Sequence, residues 1–184
     1  MDKELIHTIV SGGLAVIPTD TLYGIVASAL NKKAVEKIYK VRKRTPSKPL
    51  IVLISDVSDL QTFGIKDIPN ELKKIWPGKV SVILPCNQKK WQYLHRGAGG
   101  IAFRVPDYPW LRKMLKVTGP LVAPSANHEG DKPALTVKQA QAYFGADVEA
   151  YIDMGRKNSK PSTLISFNKE GNINILRQGA VRIK

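Results

Sequence analysis

Three hydroxyls and one carboxylate crowd into PTDTLYG, Pro18 to Gly24, with no cation, although the chain as a whole carries a formal charge of +14. Such hydroxyls either tie a turn together or offer neutral donors and acceptors to a polar ligand. The opposite chemistry follows in KVRKRTPSKPL, 40–50, where Lys40, Arg42, Lys43, Arg44 and Lys48 fall within nine residues. A charge run is often just a solvated face. Arg44 and Lys48, however, stand where a helix gives way to a strand, and cations there can converge on one phosphate chain.

Arg104 poses a sharper question, because IAFRVP surrounds it with Ala102, Phe103 and Val105 inside a strand pattern. A buried cation without a partner is costly, so Arg104 needs either a structural aspartate or a ligand carboxylate. APSAN, 123–127, offers Ser125 and Asn127 as neutral groups at another strand end, and PSTLIS and LRQG repeat the theme with Ser162, Thr163 and Arg177. The phosphate-binding pattern G-x-x-x-x-G-K-[ST] is absent, as are G-x-S-x-G and H-E-x-x-H. WPGKVS has Gly and Lys adjacent but no hydroxyl directly after the lysine. The lone Cys86, beside VILP, reads as a small hydrophobe, and His7, His95 and His128 are too scattered for a zinc site.

Elements able to hold these groups are legible in the patterning. Asp2 caps a helix with Leu5, Ile6, Ile9 and Val10 on one face, and Gly12-Gly13 stops it. LAVIP is a short buried strand that ends at PTDTLYG, at a point where strands usually hand over to helices. Asn31 caps a second helix through Val35, Ile38 and Tyr39. PLIVLI, VSVILP, IAFRVP and PLVAP read as further strands, with a weak helical pattern up to Ile75-Trp76. An amphipathic helix begins at Asp107-Tyr108-Pro109, and a T-x-x-Q box at Thr136 and Gln139 opens another that stops at Gly145. EAYIDMG, STLISF and INILR complete the strands. The expected fold class is α/β, with a mixed sheet flanked by helices.

Composition narrows the class of protein. At 184 residues, 43% hydrophobic and 24% charged, the chain matches one soluble globular domain, and no apolar run approaches a membrane span. The N-terminus lacks the basic start and apolar heart of a secretory signal, and a single cysteine makes no internal disulfide, so a cytoplasmic location is expected. Lys and Arg total 29 against 15 acids, an excess that attracts polyanions such as nucleotides or RNA.

Taken in order, P18-T-D-T-L-Y-G24, K40-V-R-K-R44 with K48-P-L50, W76-P-G78, I101-A-F-R-V-P106, S125-A-N127, S162-T163 and L176-R-Q-G179 resemble the motif set of the YrdC/Sua5/TsaC family, the threonylcarbamoyl-AMP synthases. The similarity runs from about Leu14 to Val181. It implies a twisted open mixed sheet with a basic concave cleft, a single YrdC-like domain over 1–184, and no C-terminal Sua5 domain. The implied reaction joins L-threonine, bicarbonate and ATP, with Mg²⁺, into threonylcarbamoyl-AMP and pyrophosphate. The product feeds the t6A modification of tRNA through a downstream threonylcarbamoyl-transferase complex.

By position, the resemblance places threonine binding on Thr19, Thr21, Tyr23, Arg104 and Ser162 or Thr163. ATP binding falls on Arg42, Arg44, Lys48, Ser125, Asn127 and Arg177. Positioning by Thr21, Arg44 and Arg104 would suffice, with no protein nucleophile and no protein-bound metal. Asp20 either fixes the turn or meets the substrate ammonium. The chain departs from the family pattern where Arg42 and Thr45 replace lysine and proline, and where Lys79 and Ser81 replace proline and threonine in W-P-G-P-L-T. Two other readings share these features: a non-enzymatic double-stranded RNA-binding module, which fits the charge, and a carbamoyl-handling domain of the kind found inside much larger chains.

Overall fold

The computed structural model describes residues 2–168 and 170–183. Asp2 caps α1 (Lys3–Val10) by accepting from the Glu4 and Leu5 amides, as its position predicts. β1 (Ala15–Pro18) then turns through PTDTLYG directly into an antiparallel partner, β2 (Tyr23–Ser28), with Pro18 opposite Tyr23. The sequence reading has a helix in prospect here and no strand at YGIVAS. That strand is buried along its whole length, so it lacks the polar alternation by which a half-exposed strand is recognised.

Asn31 caps α2 (Lys32–Val41) through the Ala34 amide. β3 (Ile51–Leu53) follows, then a 3₁₀ turn at Val57–Phe63, the single turn α3 (Leu72–Ile75) and β4 (Val80–Pro85). After α4 (Gln92–His95) comes β5 (Gly100–Arg104), which carries the strand-interior arginine. α5 (Pro109–Thr118) starts with Pro109 in its first turn and Tyr108 as its N-cap residue, one position later than Asp107 suggests. β6 (Leu121–Val122) and α6 (Val137–Phe144) lead to β7 (Ala150–Tyr151), β8 (Thr163–Phe167) and β9 (Ile173–Arg177). In α6 the Thr136 hydroxyl caps the Gln139 amide, but Gln139 Oε1 reaches the Leu135 amide rather than closing a box on Thr136.

These strands form one mixed sheet in the order β7-β1-β2-β6-β3-β5-β4-β8-β9. β1 runs parallel to β7, β3 to β5 and β4 to β8, and the remaining pairs are antiparallel. Alternation along β1 separates the two faces. Ala15 and Ile17 pack with Leu5, Ile9, Leu111 and Met114 from α1 and α5, whereas Leu14 and Val16 join the larger core with α2 and α6. Phe63 lies 4.9 Å from Phe103 and 5.0 Å from Trp91, ring centre to ring centre, and braces β5 from below. No helix among the described residues is long and apolar enough to cross a membrane.

Candidate active site

A cavity of about 400 Å³ opens where the β1–β2 turn, the 42–51 segment, β5, the 123–125 segment and the 161–164 segment converge. Into it face Thr19, Thr21, Tyr23 and Ser125, with Arg42, Arg44, Arg104 and Arg177 as cations. Ser162 lines it as well, and no carboxylate does. Apolar walls from Leu22, Leu50, Ile51, Ile83 and Leu164 lower the local dielectric, which strengthens every charge interaction inside. The β2 backbone meets the 123–125 segment closely, as Ile25 donates to Pro124 O at 3.0 Å. A Cβ on Gly24 would stand 3.3 Å from that same oxygen.

The turn hydroxyls divide their work. Thr19 Oγ1 donates to Leu22 O at 2.7 Å and accepts from the Thr21 and Leu22 amides, so it is committed to holding the turn. Thr21 Oγ1 touches protein only at Thr19 Oγ1, 3.1 Å away, and keeps acceptor capacity for a ligand. Tyr23 presents its ring to the cavity while its hydroxyl donates to Gly155 O at 2.7 Å and accepts from the Met154 amide. Burial raises its pKa, so it stays a neutral phenol.

Arg104 has the structural partner its strand-interior position requires. Its Nη2 lies 3.2 Å from Asp20 Oδ1, and the two side chains are 4% and 2% exposed. The contact is coulombic rather than an aligned hydrogen bond, since both Asp20 oxygens and Arg104 Nε lack hydrogen-bond partners. Burial raises the Asp20 pKa against the lowering effect of Arg104, and burial likewise lowers that of Arg104. Asp20 therefore does not line the cavity. It counterbalances the cation from behind.

Arg42 is also buried. Nε donates to Asn127 O at 2.9 Å, Nη2 approaches Ser125 Oγ and Asn127 Oδ1, and Nη1 has no protein partner. Burial, with Arg44 alongside, lowers its pKa to about 10, which still leaves it charged near neutrality. Arg44 donates to the carbonyls of Lys48 and Pro49, which fixes the bend after α2. Arg177 Nη2 donates to Ser162 O at 2.9 Å and approaches Ser162 Oγ, while the Ser81 hydroxyl lies 2.9 Å from that same Oγ. Ser81 thus keeps a hydroxyl behind Ser162, a connection that its substitution for threonine did not reveal by itself.

Three sequence-predicted residues do not line the cavity. Lys48 is exposed and pairs with Glu129, which also accepts from the Thr45 amide. Asn127 is buried behind Arg42, which it orients, and its amide nitrogen is spent on the carbonyls of His128 and Asp131. Thr163 Oγ1 accepts from the Gly179 and Val181 amides and donates to Val181 O, so it clasps the C-terminal segment onto β8. In each case the hydroxyl, amide or ammonium has found a protein partner that sequence spacing alone does not disclose. Glu129 was missed, though it sits in HEGDKP directly after SAN. Cys86 is buried with its thiol pushed up by burial, in keeping with a packing role.

No group of three or more His, Cys, Asp or Glu among the described residues could hold a metal. The lining of the cavity offers no carboxylate to a Mg²⁺ ion.

The pattern of the Sua5/yciO/yrdC family, described as telomere recombination, matches residues 7–179. A Methanocaldococcus jannaschii protein is 34% identical over 96% of this chain and 84% of its own. The threonylcarbamoyl-AMP synthase of Marinobacter nauticus is 32% identical over 88% of each chain. Among solved structures, Pyrococcus abyssi Sua5 complexed with L-threonine superposes with a TM-score of 0.87 at 29% identity, covering 96% of this chain and 53% of that one. This chain therefore spans about half the length of that relative.

Proposed function

Since the chain belongs to the Sua5/yciO/yrdC family, we propose that it is a threonylcarbamoyl-AMP synthase, a nucleotidyltransferase acting in t6A synthesis. The observation that carries this reading is a carboxylate-free cavity lined by four guanidiniums, those of Arg42, Arg44, Arg104 and Arg177, of which Arg42 and Arg104 are buried. Such groups are matched to anions that arrive with the substrates.

Arg104 holds the threonine carboxylate, and Thr21 Oγ1 offers its free lone pairs on the same side. Arg42, Arg44 and Ser125 take the phosphate chain. Threonine's amine and bicarbonate condense to a carbamate with release of water, and a carbamate oxygen attacks the α-phosphorus; the new O–P bond forms as the bond to the bridging oxygen breaks and pyrophosphate leaves with the electron pair. Cations positioned before the reaction stabilise that leaving charge, and apolar walls keep water from the mixed anhydride. No protein nucleophile enters. Mg²⁺ would be held by the nucleotide's phosphates rather than by this chain, and no step is assigned to it. The cytoplasm, where tRNA and a downstream threonylcarbamoyl transferase are found, is the setting this reading requires.

The test is incubation of the protein with ATP, bicarbonate, Mg²⁺ and L-threonine, reading pyrophosphate and the adenylate. Threonine-dependent pyrophosphate is expected, whereas release at an equal rate without threonine overturns the reading. Arg104→Ala is expected to raise the KM for threonine by at least about tenfold, as loss of a charge-assisted contact does.

A further inference from the structure

A second cavity, of about 440 Å³, lies beside the first and more open to solvent. Lys79, Lys160 and Arg182 line it together with Asn158, Ser159 and Gln178, and again no carboxylate is present. Among the described residues none of these three cations takes part in an ion pair or donates a side-chain hydrogen bond. Ser159 Oγ and Gln178 Nε2 already donate to backbone carbonyls, so the three cations and the Asn158 side-chain amide are the side-chain donors left for a ligand. We propose that this cavity binds a small, multiply charged phosphate of the class of inorganic pyrophosphate.

The wall between the cavities is rigid. Thr163 N donates to Lys79 O, Ala180 N to Pro161 O, and the Gly179 and Val181 amides to Thr163 Oγ1. At Gly179 a Cβ would stand 2.3 Å from Pro161 O, so the two segments touch backbone to backbone. Three cations on separate segments are thereby brought to one cavity, and holding them together with no carboxylate in the lining costs repulsion that a bound polyanion relieves. Three charges gathered around one concave site suit a compact anion, whereas RNA is held along an extended groove that tracks its backbone. This proposal does not lean on the synthase reading, because binding is measured without ATP or threonine.

The experiment is a titration of the ¹⁵N-labelled full chain with sodium pyrophosphate at constant ionic strength. Saturable shifts are expected at the amides of Asn158, Ser159, Gly179 and Ala180. In Lys160→Ala/Arg182→Ala the affinity read at those amides is expected to fall by at least about tenfold, with shifts around Arg42 and Ser125 unchanged. Lys79→Gln, acting from a third segment, should weaken the same amides; the spectra report whether each variant is folded. The proposal is overturned if those amides do not shift at millimolar pyrophosphate, or if affinity there is unchanged in both variants. It is equally overturned if a short RNA duplex shifts them where pyrophosphate does not.

Discussion

Arg104 shows how much a single residue discloses through its neighbours in the chain. Its place among Ala102, Phe103 and Val105 requires an anionic partner, and the partner turns out to be Asp20, from the turn whose acidity looked out of place in a basic chain. Asp20→Asn would leave that guanidinium buried and uncompensated, a change that typically costs about 3–5 kcal/mol. Denaturant unfolding should show a loss of that size; a variant as stable as the parent would mean that water reaches the pair. Glu129 makes the complementary case, being invisible in the sequence because its partners, Lys48 and the Thr45 amide, are more than eighty positions away. The Lys48 ammonium, then the Thr45 amide, lower its pKa from an ordinary 4.5 to about 2. A depressed folded-state pKa contributes stability that is present above 4.5 and is lost as pH falls toward 2. Glu129→Gln should therefore flatten the acid limb of a stability profile between those values, as followed by thermal unfolding at stepped pH.

Among the elements, the ones legible from sequence were those with a cap or a one-sided face. Asp2, Asn31 and Thr136 each cap the helix that spacing assigns to them. What escaped was β2, since a strand buried on both faces has no alternation, and with it the recognition that PTDTLYG closes a hairpin. The S162-T163 pair was legible as polar but not as two different parts. Ser162 faces the cavity, and Thr163, one residue on, points the other way, as successive residues of a strand do. Thr163→Val keeps the shape but strips the acceptor from the Gly179 and Val181 amides. A destabilisation of about 1–3 kcal/mol is expected for burying unsatisfied donors. In a chain of this size that lowers Tm by roughly 2–4 °C per kcal/mol. Because the clasp also carries Arg177, amide exchange should speed up across 177–181 before the rest of the sheet responds.

On the scale of the whole molecule, sheet order lay beyond sequence reasoning. Pairings such as Ala15 with Ala150, or Val80 with Thr163, are decided by packing across the fold and leave no local mark. The charge of +14, by contrast, is open to reading from composition, and the structure divides it into two populations with different physics. Exposed lysines act at a distance through solvent, where salt at physiological strength screens them beyond about 8 Å. Arg42 and Arg104 act at contact inside apolar walls, where salt screens little. Capture of a polyanionic nucleotide should therefore depend on salt in its association rate and not in its dissociation rate. Stopped-flow measurement of ATP binding is expected to show an association rate constant falling on the order of tenfold from low to physiological ionic strength, with dissociation nearly constant. L-Threonine, a zwitterion with no net charge, gains nothing from the long-range field and should associate at a rate that salt hardly alters. An equal salt slope for both ligands would mean that salt reshapes the cavity itself rather than screening the approach to it.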